Sequence, residues 1–402
     1  MHTSIIYAVA WGVVLCLSMA FQTPINYEIP YSLLWFLMVS GILLFLVDRA
    51  IPFVKASPSK NIKIFRAKNP LGEKLLVSCF VTALILSSAY SKFQFPILKI
   101  VGLPAVEYNE FGIPGIQGFV NATYLAMVTI RFYCVLVNGK NPVTRLSFLI
   151  LILYPLAMLS RQLLASLFIQ LFLLWWIFSG RTLRQKLFVL LMAGVAGIAV
   201  FGILGNVRTG DDVISSFLGD DARVELAILY WFYVYAVSPT SNLALNIDSA
   251  QPDGSLATFM SSLLPTPVRQ LFGLDQGFAG YSNALFVNDN LNMATYFAPG
   301  YLSFGWIGMI AMFLFLLLAF VLIKKNAKRN SYLMMCYPVI VQVCAFAPFT
   351  NLLFYLPVAF QIIIFVCLGE MRLTGQRARL SPGRRPVDSG PLSPSQDKEV
   401  LS

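Results

Sequence analysis

LSFGWIGMIAMFLFLLLAFVLI, residues 302–323, runs for 22 residues without a charged or amide side chain, and Lys324 and Lys325 follow it at once. As a helix rising 1.5 Å per residue it covers about 33 Å, enough for the ~30 Å hydrocarbon core of a bilayer. The two lysines mark where such a helix returns to water. This run fixes the solvent of the chain as lipid, and the rest of the sequence is read outward from it.

Nine further apolar runs lie at 4–21, 32–47, 75–90, 116–137, 146–159, 162–179, 187–204, 333–347 and 352–368. The expected fold is therefore an all-α polytopic membrane protein of about ten transmembrane helices. Composition agrees. The 402 residues are 58% hydrophobic and only 12% charged, with a mean hydropathy of +0.74. A soluble domain carries about 25% charge, and a chain this apolar could not cover itself in water. Residues 1–204 carry spans one to seven, 205–300 a large loop, 301–371 spans eight to ten, and 372–402 a polar tail.

The net charge of +11 invites a nucleic-acid reading, but location opposes it. With both termini in the cytoplasm, 22 of the 29 basic residues fall in inner loops and the tail, as the positive-inside rule requires. Twelve of the 18 acidic residues fall outside. The six cysteines all sit in apolar runs, so they outline neither a disulfide framework nor a metal site. The N-terminal run has no basic flank ahead of it and reads as a retained first helix. The tail is rich in Pro, Ser, Gly and charge and is expected to be disordered.

The loop at 205–300, on the outer side, is too long for a plain connection. It holds an apolar stretch, VELAILYWFYVYAV at 224–237, which is short for a span and rich in Tyr and Trp. That stretch is expected to lie in the interface or dip partway. Pro265 and Pro267 break the next helical segment.

Against the charge bias, a few arginines face outward. Arg161 tips the hairpin between two runs whose legs, at about 17 residues and 25 Å each, are shorter than the ~30 Å hydrocarbon core and hold it at or below headgroup level. Ser160 can cap the second leg. Arg208 follows the seventh run in GNVRTG, where Gly205 and Gly210 allow an anion-cradling turn. Arg223 and Arg269 are less distinctive. Guanidinium is always charged and offers a planar fork of donors suited to phosphate. The ordinary alternatives are a snorkelling anchor for Arg161, a polar exit loop for Arg208 and surface charge for the other two. Arg131 lies inside the run 116–137, where a charge is a functional candidate unless it snorkels inward.

The acidic pairs Asp211–Asp212 and Asp220–Asp221 could hold a divalent metal or supply a general base, and Asp289 is a further candidate base, although such pairs more often cap a helix or keep a loop soluble. The only histidine, His2, lies at the terminus, far from the outer loop in sequence. The loop closes on YSNALFVNDNLNMATYFAPG, whose Tyr281, Asn283 and the amide at Asn292–Met293 suit sugar recognition, although an interfacial aromatic belt looks similar. Gly305 and Gly308 point to close helix packing.

SRQLLASLF around Arg161, GNVRTG around Arg208 and NMATYFAPGYLSFGWIG at the loop's end resemble the bacterial O-antigen polymerases, also called oligosaccharide repeat-unit polymerases. The likeness spans residues 146–323. It implies transfer of a growing glycan from undecaprenyl diphosphate to a sugar hydroxyl of a new lipid-linked unit, at the periplasmic face of the inner membrane. Arg161 and Arg208 would hold the diphosphate and Asp211 would take the hydroxyl proton, with Arg223, Arg269, Tyr281 and Asn283 binding substrate. The resemblance implies no cofactor and no metal. It implies membrane lipid, a chain-length regulator and a flippase as partners. O-antigen ligases have a similar layout but are associated with a histidine in the large loop, which is absent here. A transporter or flippase of the same intermediates is the competing class. It would show related halves and a charged or discontinuous midplane path.

Overall fold

In the computed structural model, which describes residues 2–21, 23–51, 70–108, 110–138, 142–209, 217, 227–274 and 283–380, the apolar runs are helices. They are α1 (Thr3–Ala20), α2 (Tyr31–Ala50), α3 (Pro70–Tyr90), α4 (Ile116–Asn138), α5 (Pro142–Ala157), α6 (Arg161–Phe178) and α7 (Leu183–Thr209). Then follow α8 (Ala227–Ser249), α9 (Leu256–Leu263), α10 (Thr266–Leu271), α11 (Ala298–Asn326), α12 (Ser331–Phe346) and α13 (Leu356–Leu380). Seven of them, α1 to α4, α6, α7 and α11, are long and apolar enough to cross a membrane. Shorter apolar helices, within α5, α12 and α13, occupy the other three expected runs.

Burial explains why the short ones suffice. Every residue of α12 from Ser331 to Cys344 is buried, so this helix is apolar all round because its neighbours surround it. It packs against α1, α6, α11 and α13, while α4 packs against α3, α5, α6 and α13. By contrast, no residue of α7 between Leu183 and Val200 is buried. Exposed Leu187, Phe188, Leu191 and Met192 on α7, like Trp35 and Leu46 on α2, present the surface that hydrocarbon would cover.

Two polar devices fix how the helices meet. At mid-bundle, Gln170 of α6 donates to Gln342 of α12 at 2.7 Å and to Gln361 of α13 at 2.9 Å. Gln361 donates back to Gln170 Oε1 at 2.8 Å, and Thr129 of α4 donates to the same oxygen at 3.0 Å. Gln342 donates to Ser166 Oγ at 2.6 Å. Four helices are thereby locked in register through side chains that water does not reach.

At the lysine-rich end of the bundle, Asp48 and Lys324 form a salt bridge with side chains 1% and 2% exposed. Lys324 Nζ also donates to the Asp48 carbonyl at 2.6 Å. The second Asp48 oxygen accepts from the Ser4 amide and hydroxyl, and His2 Nδ1 lies 3.5 Å away. Lys324, expected as an inner-loop charge, is thus an interior group tying α11 to α2 and α1. His2 also finds a polar site, at the end of the bundle away from the large loop.

The first turns of α11 are separate from the rest. Phe304 and Gly305 leave helical geometry, with Gly305 at φ 58°, a left-handed conformation that a side chain would strain. Residues 298–303 fold back along 306–326, and Gly300 and Gly308 touch backbone to backbone. Tyr296 OH reaches the Met312 carbonyl at 2.9 Å. The segment before the break therefore re-enters beside α11, about two turns below Gly305. The break frees the carbonyls of Leu302 and Ser303, which accept from Asp253 N and Gly254 N at 2.9 Å each.

Candidate functional site

The α5–α6 hairpin positions Arg161. Met158 and Ser160 amides close back onto Tyr154 and Pro155 carbonyls, and Leu159 takes a positive φ of 48° to make the turn. A bulky residue there is strained, and such strain persists only where the surroundings over-determine it. Ser160 then caps α6 by accepting from Leu163 N at 3.3 Å. Arg161 is the first helical residue, partly buried.

Its guanidinium meets α8. Nη2 donates to Tyr235 OH at 3.0 Å, and Cζ stands 4.7 Å from the centre of the Tyr235 ring. Cation–π contact of this kind is worth about 1–2 kcal/mol once water is excluded. Tyr235 in turn lies 6.0 Å from the Trp231 ring, one turn earlier on α8. Trp231 packs on Gly205 of α7, where a Cβ would come within 2.8 Å of the indole. Gly202 meets Ile228 in the same sense, so α8 starts beside the last turns of α7 and runs on in the same direction. Of the stretch 224–237, expected to lie in the interface or dip partway, residues 227–237 form this apolar first half of α8.

Arg161 and the helix end that carries Arg208 are therefore gathered on one turn of α8, residues 231–235. Arg208 lies in the last turn of α7, three residues past Gly205. Asp211, Arg223 and Tyr281 fall outside the described residues. Arg269 stands partly buried on α10, after α9, which packs against α11.

The sugar-contact expectations resolve differently. Asn283 commits its amide hydrogens to Gln251 O at 2.9 Å and Leu302 O at 3.0 Å, clamping the break in α11. Asn292 is exposed, and position 293 is a methionine whose carbonyl accepts from Asn242 at 2.8 Å. The residues doing the holding are Asn242 and Asn246, both fully buried on α8. Asn242 accepts from Val287 N at 2.9 Å and donates to Leu291 O at 2.7 Å. Asn246 accepts from Leu285 N at 2.9 Å and donates to Leu285 O at 2.7 Å. Two amides one turn apart thus stand in for a strand partner along 285–293. Sequence reasoning missed them, although their i, i+4 spacing directly after an apolar stretch was the available signal. Asp289, a candidate base, lies in the segment these two amides hold.

A further polar contact closes this side of the bundle. Tyr27, between α1 and α2, donates to Asp248 at the end of α8 at 2.6 Å. That hydrogen bond to a carboxylate raises the Tyr27 phenol above its ordinary value. Arg131 is partly buried on α4 and, like Glu73, lies within electrostatic reach of Cys134.

No protein-family model, no curated protein and no solved structure matches this chain.

Proposed function

We propose that the chain polymerises lipid-diphosphate-linked oligosaccharide units at the loop-bearing end of the bundle, on the periplasmic face of a bacterial inner membrane. The observation that carries this reading is the gathering of Arg161 and the Arg208-bearing end of α7 on the Trp231–Tyr235 turn of α8. Two guanidinium-bearing elements converge where hairpin length places lipid headgroups. In this reading a sugar hydroxyl of the incoming unit attacks the anomeric carbon of the lipid-linked chain. The bond from that carbon to the diphosphate oxygen breaks, and the lipid diphosphate leaves. The arginines stabilise the charge that grows on the leaving oxygen. Asp211 accepts the hydroxyl proton.

The test is a reconstituted assay in which purified protein receives a lipid-linked repeat unit and the products are resolved by size. Arg161→Ala and Arg208→Ala are each expected to lower chain extension at least a hundredfold while leaving the protein inserted and helical. Polymer of wild-type length from both variants would remove these arginines from the reaction. Arg161→Lys keeps the charge but loses the fork, and is expected to recover only part of the activity.

A second reading, transport of the same lipid-linked intermediates, is favoured by one observation. Residues 298–303 form a half-helix interrupted at Gly305 and lying inside the bundle, the discontinuous element that transporters use. A ladder formed by protein in detergent, where there are no two sides to transport between, decides for the enzyme.

A further inference from the structure

Away from the Arg161 cluster, α11, α12 and α13 enclose an open apolar groove. Phe315, Leu318 and Leu322 of α11 form one wall, Ile362 and Val366 of α13 the other, and Leu333 of α12 lies in the floor. The two ends differ. At one end the Phe315 and Phe354 rings meet edge to face at 6.0 Å and close the channel. At the other the groove opens among Asn326, Arg329 and Glu370. Arg329 Nη1 lies 3.2 Å from both Asn326 Oδ1 and Glu370 Oε1.

Length and charge together name an occupant. From Phe315 to Asn326 is eleven residues of helix, about 17 Å. One leaflet of hydrocarbon is about 15 Å, half of the ~30 Å core. The groove therefore accepts a chain from one leaflet, and the aromatic pair stops a longer isoprenoid from passing through. Arg329 and Glu370 line the mouth, and the exposed Lys325 and Lys328 directly flank Asn326 and Arg329 in the chain, so that among the described residues three cations stand near the one carboxylate of Glu370. That leaves an excess of two positive charges where a headgroup would lie. The planar guanidinium, with two contacts on Nη1, keeps further donors on its fork for a phosphate oxygen.

We propose that this groove is a binding site for an anionic phospholipid of the leaflet at the lysine-rich end. One acyl chain lies between α11 and α13, and the phosphate is held by Arg329 with Lys325 and Lys328. The site is independent of the polymerase reading and stands or falls without it.

The experiment is lipid retention by the purified full chain in nonionic detergent, read by native mass spectrometry with added phosphatidylglycerol or phosphatidylcholine. The wild type is expected to keep one phosphatidylglycerol at least fivefold more strongly than phosphatidylcholine, since each engaged cation contributes a factor of about five. Lys328→Gln combined with Arg329→Gln is expected to bring the two lipids to parity. Ala319→Trp, which fills the groove, is expected to lower retention of both lipids at least fivefold. Ile362→Trp fills it from the opposite wall and serves if the first variant does not fold. Equal retention of the two lipids by the wild type would overturn the proposal. So would unchanged phosphatidylglycerol binding in the folded groove-filling variant.

Discussion

At the scale of single residues, the interior of this protein is decided by a few polar side chains that lipid cannot satisfy. Asp48 and Lys324 show the logic. Each is buried, each has the other, and Ser4 supplies two more hydrogen bonds to the carboxylate. Removing one partner strands a charge, which costs about 3–5 kcal/mol, whereas replacing both by apolar groups of similar size is near neutral. Lys324→Met is therefore expected to lower the thermal midpoint in detergent sharply. Asp48→Leu combined with Lys324→Met is expected to recover most of the loss. A double variant no better than the worse single one would show that Asp48 holds α1 through Ser4 rather than through the ion pair. Arg161 belongs to the same scale. Its partner Tyr235 gives both a hydroxyl and a ring face, so Tyr235→Phe keeps the ring and loses the hydrogen bond. That variant is expected to cost about 1 kcal/mol in stability, measured as a shift in the detergent unfolding midpoint.

At the scale of elements, pairing depends on side chains that are small or amide-bearing. The α7–α8 contact exists because Gly202 and Gly205 let Ile228 and Trp231 approach the helix backbone. A Cβ at Gly202 would lie 2.5 Å from the Ile228 carbonyl oxygen, which is backbone and cannot step aside. Gly202→Leu is expected to separate the two helices. Because α7 has no other burial along residues 183–200, that variant should raise proteolysis in the adjoining loop several-fold over wild type. The glutamine cluster does the same work for α4, α6, α12 and α13. Interhelical hydrogen bonds in membranes average about 0.6 kcal/mol and reach about 1.7. Gln170→Leu breaks four of them and is expected to destabilise the bundle by about 2–3 kcal/mol, seen as earlier loss of helicity on titration with denaturing detergent.

At the scale of the whole molecule, charge sorts the two ends. Lys186, Lys324, Lys325, Lys328 and Arg329 lie at one end, while the α8–α10 elements and the clamp at Asn283 lie at the other. A single reporter cysteine at Asp253, in a chain freed of its native cysteines, is expected to react with an impermeant thiol reagent from one side of a sealed vesicle. One at Lys328 is expected to react only from the other side. Labelling of both from one side would contradict a bundle whose helices cross the bilayer. The exposed leucines and phenylalanines of α2, α7 and α11 need no other partner than hydrocarbon, which is why so much apolar surface persists in a folded chain.

What the sequence determined by itself was the solvent and the helices. Uninterrupted apolar length and the absence of charge are local properties, and lipid forces any such segment to satisfy its backbone internally. Most of the helix read at 302–323, the Arg161 hairpin with its Ser160 cap, and the break at Pro265 were legible for that reason, whereas the break at Phe304 and Gly305 was not, because an uninterrupted apolar run reads as one helix. What only the tertiary structure decided was which polar groups face one another. Lys324 reads as a loop charge until α2 brings Asp48 to it. Asn283 reads as a sugar contact until the broken turn of α11 offers it carbonyls. Tyr235 carries no signal of its own, and the i, i+4 spacing of Asn242 and Asn246 does not say what they hold, because Arg161 and the segment 285–293 lie 39 or more residues away in sequence. Hydrogen bonds and ion pairs are set by position in space, and no periodicity along the chain encodes where a distant partner will stand.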